Sequence, residues 1–367
     1  AMRTVSNPNF IDSNLRVVRT VIIDYFTNRW VAQTIIPGLL TQQSKIVFGF
    51  NLSDRNEYMH HEIFDEAFKK ISKQLGIDAS TIKASKQPIY CSSELNGVAS
   101  TDGYFYAVDF RRITPRDANY PDPVKHHAFV IRHEAIRNYE ASLQKQKTKN
   151  DDKNDDDDIK KKQKEKEKFK EKSGNENDEK FDVQLNDDLE DSQNRQCFDI
   201  NALTSDSALG PKDTPKNILD LANFMVNVLI PKFIEEYAMM SKFVVDGQTI
   251  VNEMHLRGIN VRYLGRIYED LSKIKELTDE NKCFLVALES EMIARSFKTI
   301  MRGQKIDLNC FLSSLNLLLG YKNEKEEFQK LFDQISIVSN DKFGIKPKAP
   351  KKCQRFMLLR SILRPFG

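Results

Sequence analysis

A long run of charged residues, from Lys147 to Lys180, divides this chain into two parts with different hydrophobic patterns. The run contains four consecutive aspartates and three consecutive lysines, and its only large apolar residues are Ile159 and Phe169. Ordering the backbone costs about 1–2 kcal/mol per residue, and so polar a stretch cannot bury enough surface to offset that cost. The sequence therefore predicts a disordered insertion over residues 143–195, with a charged interaction segment as the alternative reading.

The part that precedes the insertion begins with the pattern of strands. Runs rich in β-branched residues at 18–23 and 30–36 flank a short polar turn, which predicts a β-hairpin, and 46–50 is typical of a third strand. Apolar residues then recur at helical spacing from Ile63 to Leu75, and Gly76 is a stop signal. A hairpin, a further strand and a helix are therefore expected in this order.

The rest of this part continues the mixture. Two more strands are expected at Ile89–Ser93 and Tyr104–Phe110, with Thr101-Asp102-Gly103 as turn residues before the second. Prolines at 115, 121 and 123 stiffen the segment that follows, and a helix is expected over Phe129–Gln144. We predict a mixed or antiparallel β-rich module with flanking helices over residues 1–142.

The part after the insertion has helical signals throughout. Thr214-Pro215 supplies an N-cap and a proline at the first helical position, whereas Pro231 should kink or end that helix. Asn260 is the expected cap of a helix after the Gly258 turn. Four further helices are expected at Gln248–His255, Asp279–Met301, Leu308–Leu318 and Lys325–Ile335. We therefore predict an α+β protein with an all-α module over residues 196–340 and a basic tail over 341–367.

Bulk charge excludes a uniformly basic surface. The chain has 56 basic and 53 acidic residues, a net charge of +3, so any affinity for nucleic acid must come from a local patch. No apolar run reaches the ~18 residues of a transmembrane helix, and the start lacks the pattern of a secretory signal. We expect a cytoplasmic protein without membrane insertion.

Cysteine and histidine spacing favours neither disulfides nor metal. The histidine pairs at 60–61 and 126–127 are adjacent in sequence, so their side chains point in different directions. The cysteines are odd in number and include no CxxC pair, which fits a reducing compartment. They are Cys91, Cys197, Cys283, Cys310 and Cys353. We expect no metal site.

Catalytic signatures are weak. The sequence lacks a Walker A loop, GxGxxG, HExxH and GxSxG. A hydrophobic strand that ends in Asp109 is how several phosphotransferases present a magnesium ligand, but Asp109 can equally pair with Arg111 or Arg112 in a hairpin. We expect no enzymatic activity and no cofactor, and keep a degenerate kinase-like nucleotide-binding domain as an alternative.

Two groups of basic residues are candidates for binding RNA. Arg257, Arg262 and Arg266 surround the Gly258 turn, and the last two are four residues apart, as on one helix face. Near the end of the chain, aromatic residues are interleaved with basic ones, which suits phosphate contact and base stacking. The basic candidates there are Lys346, Lys348, Lys351, Lys352 and Arg355. The alternative is a solvated tail or a helix that packs through its apolar residues.

Two long passages contain distinctive motifs. The first comprises VIIDY at 21–25, VAQTIIPGL at 31–39, CSSE at 91–94, TDG at 101–103 and RITPRDANY at 112–120. It resembles the Clu domain of the clustered mitochondria (Clu) family. The second comprises IP at 230–231, VDG at 245–247 and RGINVRYLG at 257–265. It is similar to the start of the helical central region that follows the Clu domain.

The resemblance implies a cytosolic protein that binds mRNA, notably mRNA for mitochondrial proteins. It also implies association with ribosomes or the translation initiation machinery, and a role in mitochondrial distribution and biogenesis. A protein–protein scaffold without RNA contact stays open as an alternative function.

Overall fold

The structure is a computed structural model. It describes residues 14–25, 28–39, 41, 43–50, 56–110, 112–122, 124–126, 129–147, 195–239, 247–303, 308–322, 324–351 and 354–363. Most of the predicted disordered insertion over 143–195 lies outside these residues.

The first module is built on a five-stranded mixed sheet of order β1-β7-β6-β4-β5. The strands of the module are β1 Leu15–Val17, β2 Thr20–Tyr25, β3 Asn28–Gln33, β4 Lys45–Phe50, β5 Tyr58–Met59, β6 Asn96–Ala99 and β7 Phe105–Val108. In this sheet β1 runs parallel to β7 and the other pairs are antiparallel. Helix α1, Glu62–Leu75, covers one face.

Strands β2 and β3 form the predicted hairpin as a separate two-stranded sheet. Thr20 pairs with Gln33, and Tyr25 pairs with Asn28 beside the turn. Large apolar side chains on it are open to solvent, with Ile22 and Trp30 each 60% exposed. The hairpin prediction is confirmed, and its apolar residues pack little against the described part of the chain.

The strand predicted at Ile89–Ser93 is wrong. The strand next to β7 is β6, and Ile89 makes only an isolated bridge to Ser80. Backbone groups that a strand would use are taken by a side chain, since the Asn201 amide donates to the Cys91 carbonyl at 2.8 Å and accepts from the Ser93 N–H at 2.9 Å. Residues 91–93 therefore form a buried turn.

Helix α1 follows from its aromatic face. Phe64 and Phe68 are fully buried and stack on Phe48 of the sheet, with ring centroids 5.1 and 6.0 Å apart. Gly76 ends the helix in the left-handed region at φ 69°, as the sequence predicted. A Cβ at Gly97 of β6 would lie 2.4 Å from the Phe64 ring, so the close helix–sheet contact requires glycine there.

The remaining helices build the second module. They are α2 133–147, α3 Lys216–Phe224, α4 Ile230–Met239, α5 Gly247–Leu256, α6 Leu264–Ser272, α7 Asp279–Gly303, α8 Leu308–Leu318, α9 Lys325–Phe343 and α10 Arg355–Leu363. Short 3₁₀ turns occur at Pro211–Asp213 and Val261–Tyr263. Residues of α2 share one hydrophobic core with α3 to α7. The α+β class is thus confirmed.

Pro231 neither ends its helix nor leaves it regular. Helices α3 and α4 join through a π-helical turn at Met225–Leu229, in which the Ile230 N–H donates to the Met225 carbonyl. A proline has no N–H to donate and its ring crowds the preceding turn, and the wider π turn accommodates both. Among the described residues, 216–237 is the one stretch long and apolar enough to span a membrane, but the face carrying Leu221 and Phe233 is in the core.

The end of the chain packs onto α7. Helix α9 continues eight residues beyond the predicted Ile335, to Phe343. Helix α10 then buries Leu358 and Ile362 in a cluster with Phe297 of α7. The segment predicted as a basic tail over 341–367 thus contains the end of α9, a connection without helix or strand over 344–351 and a packed helix.

Candidate functional site

A polar network joins the sheet module to the segment at 199–206. Arg112 donates to the Ile200 carbonyl at 2.6 Å and to the Asn201 side-chain oxygen at 3.1 Å, and its guanidinium lies 3.7 Å from Glu94. Burial lowers the pKa of Arg112 to about 10, although Glu94 opposes this. Arg112 is therefore committed to internal partners, and Arg111, the other expected partner of Asp109, lies outside the described residues.

A second network joins the two modules. The Tyr263 hydroxyl donates to Asp117 at 2.5 Å, and Asn119 donates to the Tyr263 oxygen at 2.8 Å and to the Ala222 carbonyl at 2.9 Å. Burial raises the pKa of both Asp117 and Tyr263. The end of the motif at 112–120 is thus fixed onto α3 and the 3₁₀ turn that precedes α6.

Arg257 is paired inside the second module. Its guanidinium contacts Glu236 at 2.9 Å and Glu253 at 2.6 Å, and the side chain is 20% exposed. Hydrogen bonds to these two carboxylates raise its pKa despite burial. The next residue is Gly258, which has a φ of +83°. Glycine is required there because a Cβ would lie 2.1 Å from the Ala135 backbone. Arg257 therefore joins α4 to α5 through its side chain, and its carbonyl accepts a hydrogen bond from Asn138 of α2 at 3.1 Å.

Arg262 and Arg266 lie elsewhere, on the side of the module that faces Tyr120. Asn260 caps the 3₁₀ turn by accepting from the Arg262 N–H, which places the Arg262 guanidinium 3.9 Å from the centroid of the Phe129 ring. Arg266 is exposed and forms an i,i+4 pair with Asp270 at 2.6 Å. Both arginines act on the Tyr120 hydroxyl, whose pKa burial raises to about 12. The structure brings these two candidates together and separates Arg257 from them.

The candidates near the end of the chain fall into two environments. Lys346, Lys348 and Lys351 are exposed on the connection between α9 and α10. Arg355 begins α10, with its guanidinium 5.5 Å from the Tyr321 ring centroid. Lys352 lies outside the described residues. Three candidate lysines therefore occupy one short exposed segment.

Sequence reasoning missed a group that we name the Lys342 cluster, which consists of Arg262, Arg295, Thr299, Arg302 and Lys342. Lys342 of α9 donates to the Thr299 hydroxyl of α7. Burial, followed by the charges of the three arginines, lowers the pKa of Lys342 to about 8. The i, i+4, i+7 spacing of the α7 members was visible in the sequence, but their meeting with α9 and the 3₁₀ turn was not.

Asp109 lies at the rim of an apolar cleft. It follows β7 with a φ of 59° and borders a cavity of about 390 Å³ between the sheet and the residues after β3. The lining is mostly apolar and includes Ile35, Ile36 and Val98. Among the described residues around this cleft there is no lysine or arginine.

Metal-ligating and thiol groups are scattered. In the described ranges no three His, Cys, Asp or Glu side chains gather where they could hold a metal ion. Cys91 is buried beside Tyr58, and burial raises the pKa of its thiol to about 12. Cys283 and Cys310 are exposed.

Two different family models match the two modules of the chain. Residues 2–120 match the family model described as "Clustered mitochondria". Residues 241–327 match the model described as "Translation initiation factor eIF3 subunit 135". The second match includes α5 to α8 and four members of the Lys342 cluster.

Individual relatives match most of the chain. The clustered mitochondria protein of Arabidopsis thaliana is 28% identical over 362 residues, which cover 84% of this chain and 25% of the relative. The homologue of Dictyostelium discoideum is 30% identical over 351 residues, with 82% and 25% covered. The chain thus spans about a quarter of the length of these relatives. No solved structure gives a significant match.

Proposed function

Because the chain belongs to the clustered mitochondria family, we propose that it is a cytoplasmic mRNA-binding protein that works with the translation machinery and supports mitochondrial distribution and biogenesis. The relatives carry the family name in plants, fungi and Dictyostelium. The role in mitochondrial distribution comes from that kinship.

The translation link has its main support in the second module. Residues 241–327 resemble an initiation factor subunit, and this stretch contains Arg257, Arg262 and Arg266. Arg257 is occupied by two carboxylates, so Arg262 and Arg266 are better placed for a partner.

We propose the connection between α9 and α10 as the first RNA contact. Lys346 and Lys348 are two residues apart in this connection, and both are exposed. Lys351 adds a third exposed cation. Phe356, which is 67% exposed at the start of α10, offers a ring on which an unpaired base can stack.

A salt-dependent binding measurement tests this proposal. The purified chain is titrated into a labelled 30-nucleotide single-stranded RNA, and anisotropy is recorded over a range of salt concentrations. Replacing Lys346, Lys348 and Lys351 with glutamine should weaken binding and make the log–log salt slope about 2 less negative, at roughly 0.7 per lost phosphate contact. A matched triple variant on the other parts of the chain, Lys69→Gln/Lys86→Gln/Lys216→Gln, should leave both quantities near wild type. A wild-type chain that does not bind RNA at low salt would leave the scaffold reading in its place.

The same proposal gives the chain no catalytic activity. The apolar lining of the Asp109 cleft supports this, since a bound nucleotide would need cations for its phosphates. Thermal unfolding with and without magnesium and ATP checks it, and a rise in Tm that Asp109→Asn abolishes would restore the kinase-like reading.

A further inference from the structure

The Lys342 cluster is assembled from three separate elements. Arg295, Thr299 and Arg302 lie at i, i+4 and i+7 on α7, so they share one face of that helix. Lys342 reaches them from α9 through its hydrogen bond to the Thr299 hydroxyl. Arg262 approaches from the 3₁₀ turn, held against the Phe129 ring.

Two carboxylates near the cluster are engaged by another cation or by one member. Glu291 pairs with Arg295 at 2.8 Å, and Asp341 pairs with Lys125 of the first module at 2.7 Å. The Lys125–Asp341 pair is more than half exposed at both ends, so it is weak and screened by solvent. Burial is the main cause of the lowered pKa of Lys342, and the charges of the three arginines add to it despite the opposing charge of Asp341.

The chemistry of the cluster favours an anion. Guanidinium and ammonium groups only donate hydrogen bonds, and the fork of an arginine matches two oxygens of a phosphate. The hydroxyl of Thr299 is already used, since it donates to the Arg295 carbonyl at 2.9 Å and accepts from Lys342. A tetrahedral dianion in this position would face donors from three elements.

We propose that the Lys342 cluster is a phosphate-binding site at the junction of α7, α9 and the 3₁₀ turn, distinct from the exposed lysines of 346–351. The phosphate comes from an RNA backbone or from a free polyphosphate, and both sources present the same group to the cluster. The inference is independent of RNA binding, because the geometry of the donors requires only the phosphate.

The test uses the full chain with pyrophosphate as the probe, followed by isothermal titration calorimetry. Lys342→Gln keeps a donor of similar length for Thr299 and removes the charge. It should raise the Kd for pyrophosphate at least tenfold, as loss of a charge-assisted contact does. The control Lys330→Gln removes the same charge from an exposed position on α9 and should bind as wild type does.

A second variant and a second readout protect the test against misfolding. Arg302→Gln changes an exposed member of the cluster and should also weaken pyrophosphate binding. In phosphate-free buffer, Lys342→Gln should have a Tm equal to or above that of wild type, whereas a purely structural Lys342 would give a lower Tm. At a pyrophosphate concentration near the wild-type Kd, the Tm of wild type and control should rise clearly, and that of the cluster variants should rise much less.

Labelled RNA distinguishes the two sources. If the RNA affinity of Lys342→Gln also falls and pyrophosphate displaces RNA, the cluster binds the RNA backbone. If only pyrophosphate binding is lost, the cluster serves a free polyphosphate. Pyrophosphate binding that is absent in wild type, or unchanged in both cluster variants, overturns the inference. A wild type that binds pyrophosphate but no RNA contradicts the proposed function and leaves the inference standing.

Discussion

Arg112 and Lys342 both carry a positive charge into the protein, but the charges around them differ. Arg112 meets a carbonyl, an amide oxygen and Glu94, all within the fold. Lys342 meets a hydroxyl and three arginines, and Asp341 beside it is shared with Lys125. A charge whose partners are internal stabilises the fold, whereas a surplus of like charges costs stability until an external anion compensates it.

The largest effect is expected at Arg112. Arg112→Met removes the guanidinium that donates to the Ile200 carbonyl and the Asn201 side chain and that pairs with Glu94. Breaking a buried charged network typically costs about 3–5 kcal/mol. Urea unfolding of the purified chain measures the change. A loss below about 1 kcal/mol would mean that the Arg112 network contributes little to the stability of the fold. The contrast drawn between Arg112 and Lys342 would then be wrong for Arg112.

A smaller loss is expected where the modules meet. Tyr263→Phe leaves Asp117 without its hydroxyl donor and removes one of the two acceptors of the Asn119 amide, which should cost about 1–3 kcal/mol. Tyr268→Phe on the adjoining helix α6, where the side chain is half-buried, is the matched control and should stay near wild type. Equal stabilities of the two variants would show that the junction does not depend on this network.

The lowered pKa of Lys342 predicts that stability depends on pH. The folded chain releases the Lys342 proton near pH 8 and the unfolded chain near 10.5, because burial and Arg262, Arg295 and Arg302 outweigh Asp341. Between these values the unfolded state binds more protons, so stability from this group should rise with pH. Other lysines titrate there too, so the measured quantity is the difference between wild type and Lys342→Gln in unfolding free energy at pH 7.5 and pH 10. A constant difference would contradict the prediction.

The smallest effect is expected at Arg266. Its pair with Asp270 is exposed, so Arg266→Gln should change the unfolding free energy by less than about 0.5 kcal/mol. Thermal unfolding at low and high salt checks this, and a loss comparable with that of Arg112→Met would show that exposure does not separate the two kinds of arginine.

Local pattern was enough for several elements. Helix α8 has the predicted bounds Leu308–Leu318, and the hairpin and the stop at Gly76 follow from propensity and turn chemistry. Helix α9 was predicted too short, because the polar residues after Ile335 have little helical preference. Ser339 and Phe343 are buried at a spacing of four from Ile335, and packing extends the helix to that point.

The candidate site shows the same division. Arg262 and Arg266 were singled out from the sequence, and the structure places both near Tyr120. Arg257 looked equivalent, yet Glu236 reaches it from another helix. Arg295, Arg302 and Lys342 looked like ordinary helix surface, because the sequence records which residues share a helix face but not which faces meet.

The sequence by itself determined the α+β class, the family, most helices and the hairpin, because these depend on residues close together in the chain or on long motifs. Only the tertiary structure decided which charges are neutralised. The Asn201 side chain forms hydrogen bonds with the backbone of Cys91 and Ser93, more than a hundred residues earlier in the chain. Lys342 forms a hydrogen bond with Thr299 where two helices pack together. Electrostatic compensation depends on distance in space, and no local pattern encodes that distance.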